Sequence, residues 1–301
     1  MDRQAGDLTA EQRREDFFFD LNGYRILRGA VDADDVRAIN QWIDEHPASS
    51  ADAARFEKGE HGRWIGNVEV QSYMKEDGVN YQNIIEGGPV FEKMIDNPSW
   101  IDDIRRYIGP GLGGNNVSLN ENLVNCRSQG GFIGMHSGGH LPFFTTLFRH
   151  RTGDWMLGQV NIIVALTTIG PGDGCTTVVP GSHHSHVPHP HYSDAGADEH
   201  KVINYSGPAT DAENMMEVHL EAGDALMFTD GLVHGSSARK NPGQRRTMLY
   251  RYCPAWVSTR WNYLASPELI GRLTEARRQI VQPVKPRVTP AWARAAAGQR
   301  A

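Results

Sequence analysis

Two histidines, far apart in the chain, each stand in a setting typical of a metal ligand. His136 lies in the stretch GMHSGGH, which follows a β-rich run and a glycine-rich turn, and His234 follows a GD turn and the apolar run ALMFT. Imidazoles that project from strand ends can meet in the mouth of a barrel, and imidazole is a suitable ligand for several transition metals. We therefore predict that His136 and His234 bind one metal ion.

Other residues of metal-binding type are present without a converging pattern. The run GSHHSHVPHPHY holds five closely spaced histidines, but its prolines and tight spacing favour an exposed loop, because structural zinc needs four ligands in a fixed frame. The three cysteines, Cys126, Cys175 and Cys253, are widely spaced and form no CxxC pair. We predict that they are reduced, buried and inert.

A series of short β-rich runs, separated by Gly, Pro and Asn, begins near residue 117 and supplies the strands that must position both histidines. The runs are VSLNENLVN, QVNIIVALTT, CTTVVPGS, MMEVHLEAGDALMFT and RRTMLYRYC. Such a series predicts an antiparallel sandwich or barrel and disfavours alternating βαβ units. The segment between residues 183 and 215 carries few strand signals and is predicted to be a surface excursion.

Two amphipathic helices that lie on a sheet are predicted ahead of this series. In VDADDVRAINQWIDEH the apolar residues recur at helical spacing, and Asp32 or Asp34 can cap the first turn. In DNPSWIDDIRRYIGP, Asn97 can act as the cap, Pro98 suits the first helical position, and Gly109 ends the helix.

Length and charge restrict the class of protein. The 301 residues are expected to form one domain, with residues 1–16 and about 281–301 flexible or wrapped over its surface. The net charge of −6 and the pI near 6.1 indicate no excess of basic residues that would bind a nucleic-acid polymer. No apolar run approaches the length of a membrane span, and the first residues lack an apolar signal core, so a soluble, cytoplasmic protein is expected.

The sequence resembles the phytanoyl-CoA dioxygenase family of Fe(II)/2-oxoglutarate oxygenases over most of its length. The stretches that carry the resemblance are DLNGYRILRGAVDADDVRAIN, GMHSGG, IVALTTIGPGDGCTTVVPGSHH and LEAGDALMFTDGLVHGSSARKNPGQRRTMLYRYC. The resemblance implies a mainly β fold, with a double-stranded β-helix (jelly roll, cupin-like) core and flanking α-helices. It also implies Fe(II) and 2-oxoglutarate as cofactors, O2 as co-substrate, and His136 and His234 as iron ligands.

The family further implies a site for the distal carboxylate of 2-oxoglutarate. In the family an arginine 11 residues after the second histidine anchors that carboxylate; here it is Arg245, and Ser236 matches a family position that hydrogen-bonds the same group. A guanidinium fork fits a carboxylate bidentately. Arg246 follows at once, and because successive strand residues face opposite sides, only one of the two arginines can point inward. The spacing favours Arg245.

One position departs from the family pattern. The family places a carboxylate two residues after the first histidine, but this chain has Gly138 there and no Asp or Glu from Leu123 to Arg151. Three explanations compete. The fold is a non-catalytic small-molecule binding module; or another ligand, such as His140 or Asp154, serves a hydroxylase with altered ligation; or a halide completes the iron site.

Charge balance favours the halide. Chloride in place of a carboxylate leaves the ligand charge of the iron unchanged, and a glycine leaves the volume of a side chain free. The His-x-Gly pattern resembles that of Fe(II)/2-oxoglutarate halogenases. We therefore predict an oxidoreductase of this type, a halogenase in which chloride binds beside Gly138 and Gly139 and replaces a hydrogen atom on an unactivated carbon.

The residues just past the metal motif, including His140 and Phe143, are predicted to line the substrate face. Nothing in the sequence resembles a docking patch for a carrier protein, although such a partner stays open, as does the oligomeric state. The polar, histidine-rich segments suit a free small metabolite of natural-product biosynthesis. A nucleoside or nucleotide such as a deoxyadenylate is the first candidate.

Overall fold

The described part of the chain contains short strands and helices around a few long strands. The computed structural model describes residues 8–55, 58, 60–109, 116–151, 154–191, 207–210, 212–257 and 263–283. The strands are β1 Tyr24–Leu27, β2 Ala54–Arg55, β3 Trp64–Ile65, β4 Val68–Ser72, β5 Val79–Gln82, β6 Val117–Arg127, β7 Phe148–Arg151, β8 Asp154–Leu157, β9 Val160–Ala165, β10 Thr176–Val178, β11 Met216–Val218, β12 Ala225–Thr229, β13 His234–Ser236 and β14 Arg245–Pro254. The α-helices are α1 Ala10–Asn22, α2 Ala33–Glu45, α3 Pro89–Glu92, α4 Ile101–Ile108, α5 Pro267–Arg272 and α6 Glu275–Val281.

Two sheets, one large and one small, form the framework. The large sheet has 9 strands in the order β1-β12-β9-β14-β6-β5-β4-β2, with β3 paired to β4. The small sheet has the order β11-β10-β13, and β7 and β8 form a separate hairpin. The late strands β12, β9 and β14 stand between the early strands β1 and β6, and the long central pairs are antiparallel. This arrangement is typical of a jelly roll.

The long strands are buried on both faces, and each face has its own chemistry. On β14, Arg245 and Thr247 point toward the small sheet and line a cavity between the two sheets, whereas Met248 and Tyr250 belong to the apolar core on the other side. The alternation explains why β6, which is buried along its whole length, mixes polar and apolar residues. Leu123, Asn125 and Arg127, at alternate positions of β6, line the cavity.

Helices cover the outer face of the large sheet. Ile39 and Ile43 of α2 and Ile104 of α4 pack in the same apolar cluster as Val124 of β6 and Met248 of β14. Burial of these apolar stripes holds the helices on the sheet. The predicted mainly β fold, a double-stranded β-helix with flanking helices, is confirmed.

Some boundaries differ from the sequence prediction. Residues 10–16, part of the end predicted to be flexible or wrapped over the surface, open α1, where Thr9 and Gln12 form a capping box. Asn97 does not cap α4: its carbonyl accepts from the Trp100 and Ile101 N–H groups in a turn ahead of the helix, which starts at Ile101. The predicted ends at residues 1–7 and 284–301, and residues 192–206 of the predicted surface excursion, lie outside the described residues.

Among the described residues, no helix combines the length and the apolar character that a membrane span requires.

Candidate active site

His136 and His234 are brought side by side by a bridge between two distant segments. His234 opens β13, and His136 lies in the irregular segment that follows β6. Each residue's backbone N–H donates to the other's carbonyl oxygen, at 2.8 Å and 3.1 Å, and their ring centroids are 4.0 Å apart. Two imidazoles at this separation can bind the same metal ion.

Hydrogen bonds to backbone carbonyls fix the tautomer of both rings. Nδ1 of His136 lies 2.9 Å from the Gly134 carbonyl oxygen, and Nδ1 of His234 lies 2.7 Å from that of Leu232. Because a carbonyl oxygen only accepts, each Nδ1 must carry the proton, and the lone pair of each ring is on Nε2. This is the arrangement that metal-binding histidines use.

The charge state of the pair also suits a ligand role. His234 is buried, and burial lowers its pKa well below the ordinary value, with the neighbouring His136 imidazole lowering it further. A neutral imidazole is the form that binds a metal ion. His234 therefore needs no deprotonation before metal binding at neutral pH.

Gly138 has a backbone that favours glycine and a neighbour that occupies the space of a side chain. Its φ is +140°, and a Cβ atom added to it would lie 2.6 Å from Nδ1 and 2.7 Å from Cε1 of His140. Ser137 just before it also has a positive φ, of 67°. The volume predicted to be free beside Gly138 is thus partly filled by the His140 imidazole.

No third protein ligand completes a cluster with the two histidines in the described part of the chain. Among those residues, no His, Cys, Asp or Glu joins His136 and His234 in a set of donor atoms within 4.8 Å of one another. His140 does not converge with the pair, and Asp154 is exposed in the β7–β8 hairpin. The alternative in which Asp154 fills the gap is therefore wrong in this geometry.

Gly139 was predicted to border the halide, and the structure places it against backbone instead. A Cβ atom on Gly139 would lie 2.1 Å from the His183 carbonyl oxygen and 3.0 Å from that of Ser185. Its N–H donates to the Ser182 carbonyl oxygen at 3.2 Å. The glycine is required by this close approach of two chain segments, which leaves no space for an ion on that side.

The two adjacent arginines of β14 face opposite sides, as expected. Arg245 is 3% exposed and points into the cavity, where its Nη2 donates to the Thr176 hydroxyl at 3.0 Å. Its Nε is buried without a hydrogen-bond partner among the described residues. Arg246 points outward and donates from Nη2 to Asp44 of α2 at 2.6 Å. Arg246, the less favoured of the two candidates for the co-substrate carboxylate, therefore does not contact the cavity, because strand alternation turns its side chain toward the helix.

A second buried arginine, which no sequence pattern indicated, lies directly opposite the first. Arg127 of β6 is the register partner of Arg245 and pairs with Asp77 at 3.2 Å, both side chains being 1% exposed. Burial lowers the pKa of Arg245, and the Arg127 charge lowers it further. Among the described residues no carboxylate forms an ion pair with Arg245, so one positive charge is left for an anionic ligand.

Ser236 stands between these arginines and the rest of the site. Its Oγ accepts from Nη1 of Arg127 at 2.8 Å and from the Ile133 N–H at 2.7 Å. A hydroxyl with its acceptor capacity used in this way keeps its single O–H to donate. Together with the Nε of Arg245, it forms a site that fits the distal carboxylate of 2-oxoglutarate.

The cavity is lined from both sheets, with polar groups at its margins and apolar side chains between them. Among its lining residues are the two histidines, Arg127, Arg245 and Arg251, with Ile163, Phe228 and Leu249 as apolar walls. His140 and Phe143, predicted to line the substrate face, are not among them. Phe143 lies in the turn before β7, half-buried. That turn follows the metal motif in sequence but leads away from the cavity.

Tertiary pairing explains why several lining residues could not be found from the sequence. Thr176, Thr247, Arg127 and Arg251 lie in strands with no motif of their own, and only the strand register brings them into the cavity. The one available signal was polar residues at alternate positions of NENLVNCR. The histidine-rich run forms no metal cluster among its described residues, and His183 packs against Phe148.

Known proteins of similar sequence point to the same kind of site. A sequence model of the phytanoyl-CoA dioxygenase family matches residues 19–247. The dioxygenase cdmD of Talaromyces verruculosus is 23% identical over 274 residues, which are 86% of this chain and 80% of cdmD. The peroxisomal phytanoyl-CoA dioxygenase of Mus musculus is 26% identical over 254 residues, 80% of this chain and 67% of its own length.

Solved structures share the fold at lower identity. HygX of Streptomyces hygroscopicus, with nickel and 2-oxoglutarate bound, superposes with a TM-score of 0.62 at 18% identity, over 88% of this chain and 95% of HygX. SnoN, a non-haem α-ketoglutarate-dependent epimerase from nogalamycin biosynthesis, gives 0.51 at 21% identity, over 84% and 87%. The family model spans most of the chain, and the histidine pair and Arg245 lie within it. The chain therefore belongs to the phytanoyl-CoA dioxygenase family and is an Fe(II)- and 2-oxoglutarate-dependent oxygenase.

Proposed function

We propose that the chain is a hydroxylase with altered iron ligation, acting on a C–H bond of a free small molecule. One observation carries the proposal: the His140 imidazole occupies the place where a side chain at position 138 would begin, since a Cβ atom there would lie 2.6 Å from its Nδ1. The carboxylate of the family pattern is absent, but the space is not open to a large anion. Iron with 2-oxoglutarate and O2 supplies the oxidising power for such a reaction.

The chain's own residues bind and orient these groups. We assign the two iron ligands to Nε2 of His136 and Nε2 of His234, since both Nδ1 atoms donate to backbone carbonyls. Arg245 and the Ser236 hydroxyl hold the distal carboxylate of the co-substrate, and the Asp77–Arg127 pair keeps Ser236 in place. Such positioning within a rigid double sheet is the protein's share of catalysis.

His140 takes the remaining role near the iron. Because its nitrogens do not converge with the other two imidazoles, we assign it a hydrogen bond to a solvent molecule at the third position rather than direct ligation. Burial lowers the pKa of His140, so the ring is neutral at neutral pH and can donate or accept one hydrogen bond at each nitrogen.

Halogenation is the second candidate, and one specific observation favours it. Three arginines, Arg127, Arg245 and Arg251, line the cavity, while two acids, Asp77 and Glu121, pair with the first and the last. The one positive charge left, on Arg245, is taken up by the distal carboxylate of the co-substrate, so the observation that favours a halide is the glycine at position 138, where the family has a carboxylate. Chloride at the third position would also keep the ligand charge that the missing carboxylate supplied.

For the substrate we propose a free, polar small molecule. Tyr73, Asn80, Asn125 and Arg251 line the cavity together with the apolar walls, which suits a ligand with several hydrogen-bonding groups. The solved structures of the relatives include hygromycin B bound to HygX and nogalamycin RO bound to SnoN. A nucleotide such as a deoxyadenylate is one member of this class, and a substrate panel should include it beside hygromycin B and nogalamycin RO.

Product analysis separates the two candidates. A compound that accelerates succinate formation is turned over in chloride-free buffer and in buffer rich in chloride. The hydroxylase product gains one oxygen atom from labelled O2 in both buffers, and His140→Ala lowers the yield of product per succinate, whereas the matched exposed variant His184→Ala does not. A chlorinated product in the second buffer would establish the halogenase instead.

A further inference from the structure

A second cluster of metal-binding side chains lies outside the cavity. A donor atom of Cys175, one of Glu217 and one of His219 all lie within 4.8 Å of one another. Nε2 of His219 lies 3.3 Å from a Glu217 carboxylate oxygen. The three side chains differ in chemistry, a thiol, a carboxylate and an imidazole, so their proximity is not a mere cluster of acidic residues.

The strand register explains how these residues meet. Thr176 pairs with Val218 across β10 and β11, and Thr177 with Glu217. Continuing the antiparallel register by one residue sets Cys175 opposite His219. Because side chains alternate, Cys175, Glu217 and His219 share one face of the small sheet, and Thr176, which lines the cavity, lies on the other.

The cluster has a buried sulfur on its inner side and a solvent-exposed imidazole and carboxylate on its outer side. Cys175 is fully buried, whereas the side chains of His219 and Glu217 are 52% and 31% exposed. A metal ion can therefore approach from solvent and meet the sulfur at the bottom. Thr177, opposite Glu217 on the same face, has a hydroxyl oxygen that is buried without a hydrogen-bond partner in the described part of the chain. Its lone pairs offer a further polar contact to a group bound there.

We propose that Cys175, Glu217 and His219 form a second, independent site for a divalent transition-metal ion of zinc-like preference. Thiolate, imidazole and carboxylate are the ligands that zinc takes in proteins, and three protein ligands leave a fourth position for water. On binding, the thiol loses its proton to solvent and a sulfur–metal bond forms; no electron is transferred. The site needs neither iron nor 2-oxoglutarate.

The metal-free state of the Cys175 thiol is consistent with a role as a metal ligand. Burial and, to a smaller extent, the Glu217 carboxylate together raise the pKa of Cys175 to about 12. The thiol then donates to the Gly170 carbonyl oxygen at 3.0 Å. Without a metal ion the sulfur is protonated and unreactive, which agrees with the prediction that the cysteines are inert.

Sulfur makes this site distinguishable from the iron site. No cysteine is among the described residues that line the cavity. Co(II) bound at the two-histidine site gives no sulfur-to-cobalt charge transfer, whereas Co(II) bound to Cys175 gives a near-ultraviolet band of that origin. The band therefore reports the second site alone.

The test titrates the full chain with Co(II), without any co-substrate. We expect the sulfur-to-cobalt band to saturate at one ion per chain, both in the wild type and in the double variant His136→Ala/His234→Ala. Cys175→Ser should abolish the band, and His219→Ala, an exposed position that does not threaten folding, should weaken Co(II) affinity at this site by at least about tenfold. Cys253→Ser, a buried cysteine elsewhere in the fold, is the matched control and should keep the band.

Three results would overturn the proposal. The first is a wild-type chain that takes up Co(II) without any sulfur-to-cobalt band. The second is a band that survives both Cys175→Ser and His219→Ala. Loss of the band only in His136→Ala/His234→Ala would likewise assign the cobalt to the iron site and contradict a second one, while leaving the proposed hydroxylase untouched.

Discussion

His136 and His234 are partners in an antiparallel β-bridge, with both backbone hydrogen bonds made and the two rings 4.0 Å apart. The bridge ties a segment after β6 to the start of β13, so the imidazole pair is set by backbone pairing and not by side-chain flexibility. Neutral rings with the lone pair on Nε2 complete a preformed pair of ligands. Gly138 stands two residues after His136 in the same segment, and the His140 ring lies against it.

The two arginines of β14 give a matched test of the co-substrate site. Arg245→Lys removes the guanidinium fork and should weaken 2-oxoglutarate binding by about 10- to 100-fold, the loss of one hydrogen bond between charged groups. Arg246→Lys should leave it within about twofold, because Arg246 contacts Asp44 on the outer face. Calorimetric titration of the metal-loaded protein measures both. Equal losses in the two variants would contradict the assignment.

Restoring a carboxylate at position 138 should not restore the family site. Gly138→Asp places a side chain at a φ of +140° and against the His140 ring, so we expect it to destabilise the fold by about 1–3 kcal/mol. Adding His140→Ala should recover part of this loss. Gly130→Asp, at a φ of +87° with open space around it, is the control for backbone strain. Urea denaturation of these three variants and of His140→Ala alone gives the four values, and strictly additive effects of Gly138→Asp and His140→Ala would be evidence against the contact.

The buried Asp77–Arg127 pair should be important for stability. Asp77→Asn leaves the Arg127 guanidinium buried without its acid, and we expect a loss of about 3 kcal/mol in the free energy of unfolding. Asp44→Asn removes an acid whose side chain is 63% exposed, from its pair with Arg246, and should cost less than about 1 kcal/mol. Thermal and urea unfolding compare the two. A loss of the same size in both would show that burial of the first pair is not decisive.

His183 should make stability depend on pH. Burial and, to a smaller extent, the neighbouring His184 together lower its pKa to about 4. Between this value and the ordinary 6.5, the unfolded chain binds a proton that the folded chain does not, so stability is complete above 6.5 and falls as the pH drops. From about pH 7 to about pH 5 the loss should be roughly 2 kcal/mol. His183→Gln should remove this part of the slope and His184→Gln should not; unchanged slopes in both variants would contradict it.

The local pattern of the sequence predicted where the strands lie better than it predicted which residues pair across them. The β-rich runs VSLNENLVN and RRTMLYRYC predicted β6 and β14, and the alternation of side chains along a strand separated Arg245 from Arg246. The pairing of Arg127 with Asp77 was not predictable, because it depends on the register between β5, β6 and β14.

The errors have physical reasons as well. The Thr9–Gln12 capping box marks a helix start, but it lies in a polar segment that was predicted to be flexible or wrapped over the surface. Asn97 bonds the Ser99 N–H with its side chain at 2.8 Å, which makes a turn instead of a helix cap. The contact between Gly138 and His140 depends on positive φ angles at 137 and 138, which no residue pattern specified.

The central claim is that the iron is held by His136 and His234, with the third position screened from halide by His140. The most direct measurement is the charge-transfer absorption of the anaerobic Fe(II)–2-oxoglutarate complex during titration with chloride. We predict that the wild-type band is present, that it is lost in His234→Ala, and that chloride does not change it. A saturable, chloride-dependent shift of the wild-type band would contradict the hydroxylase assignment and establish a halide ligand.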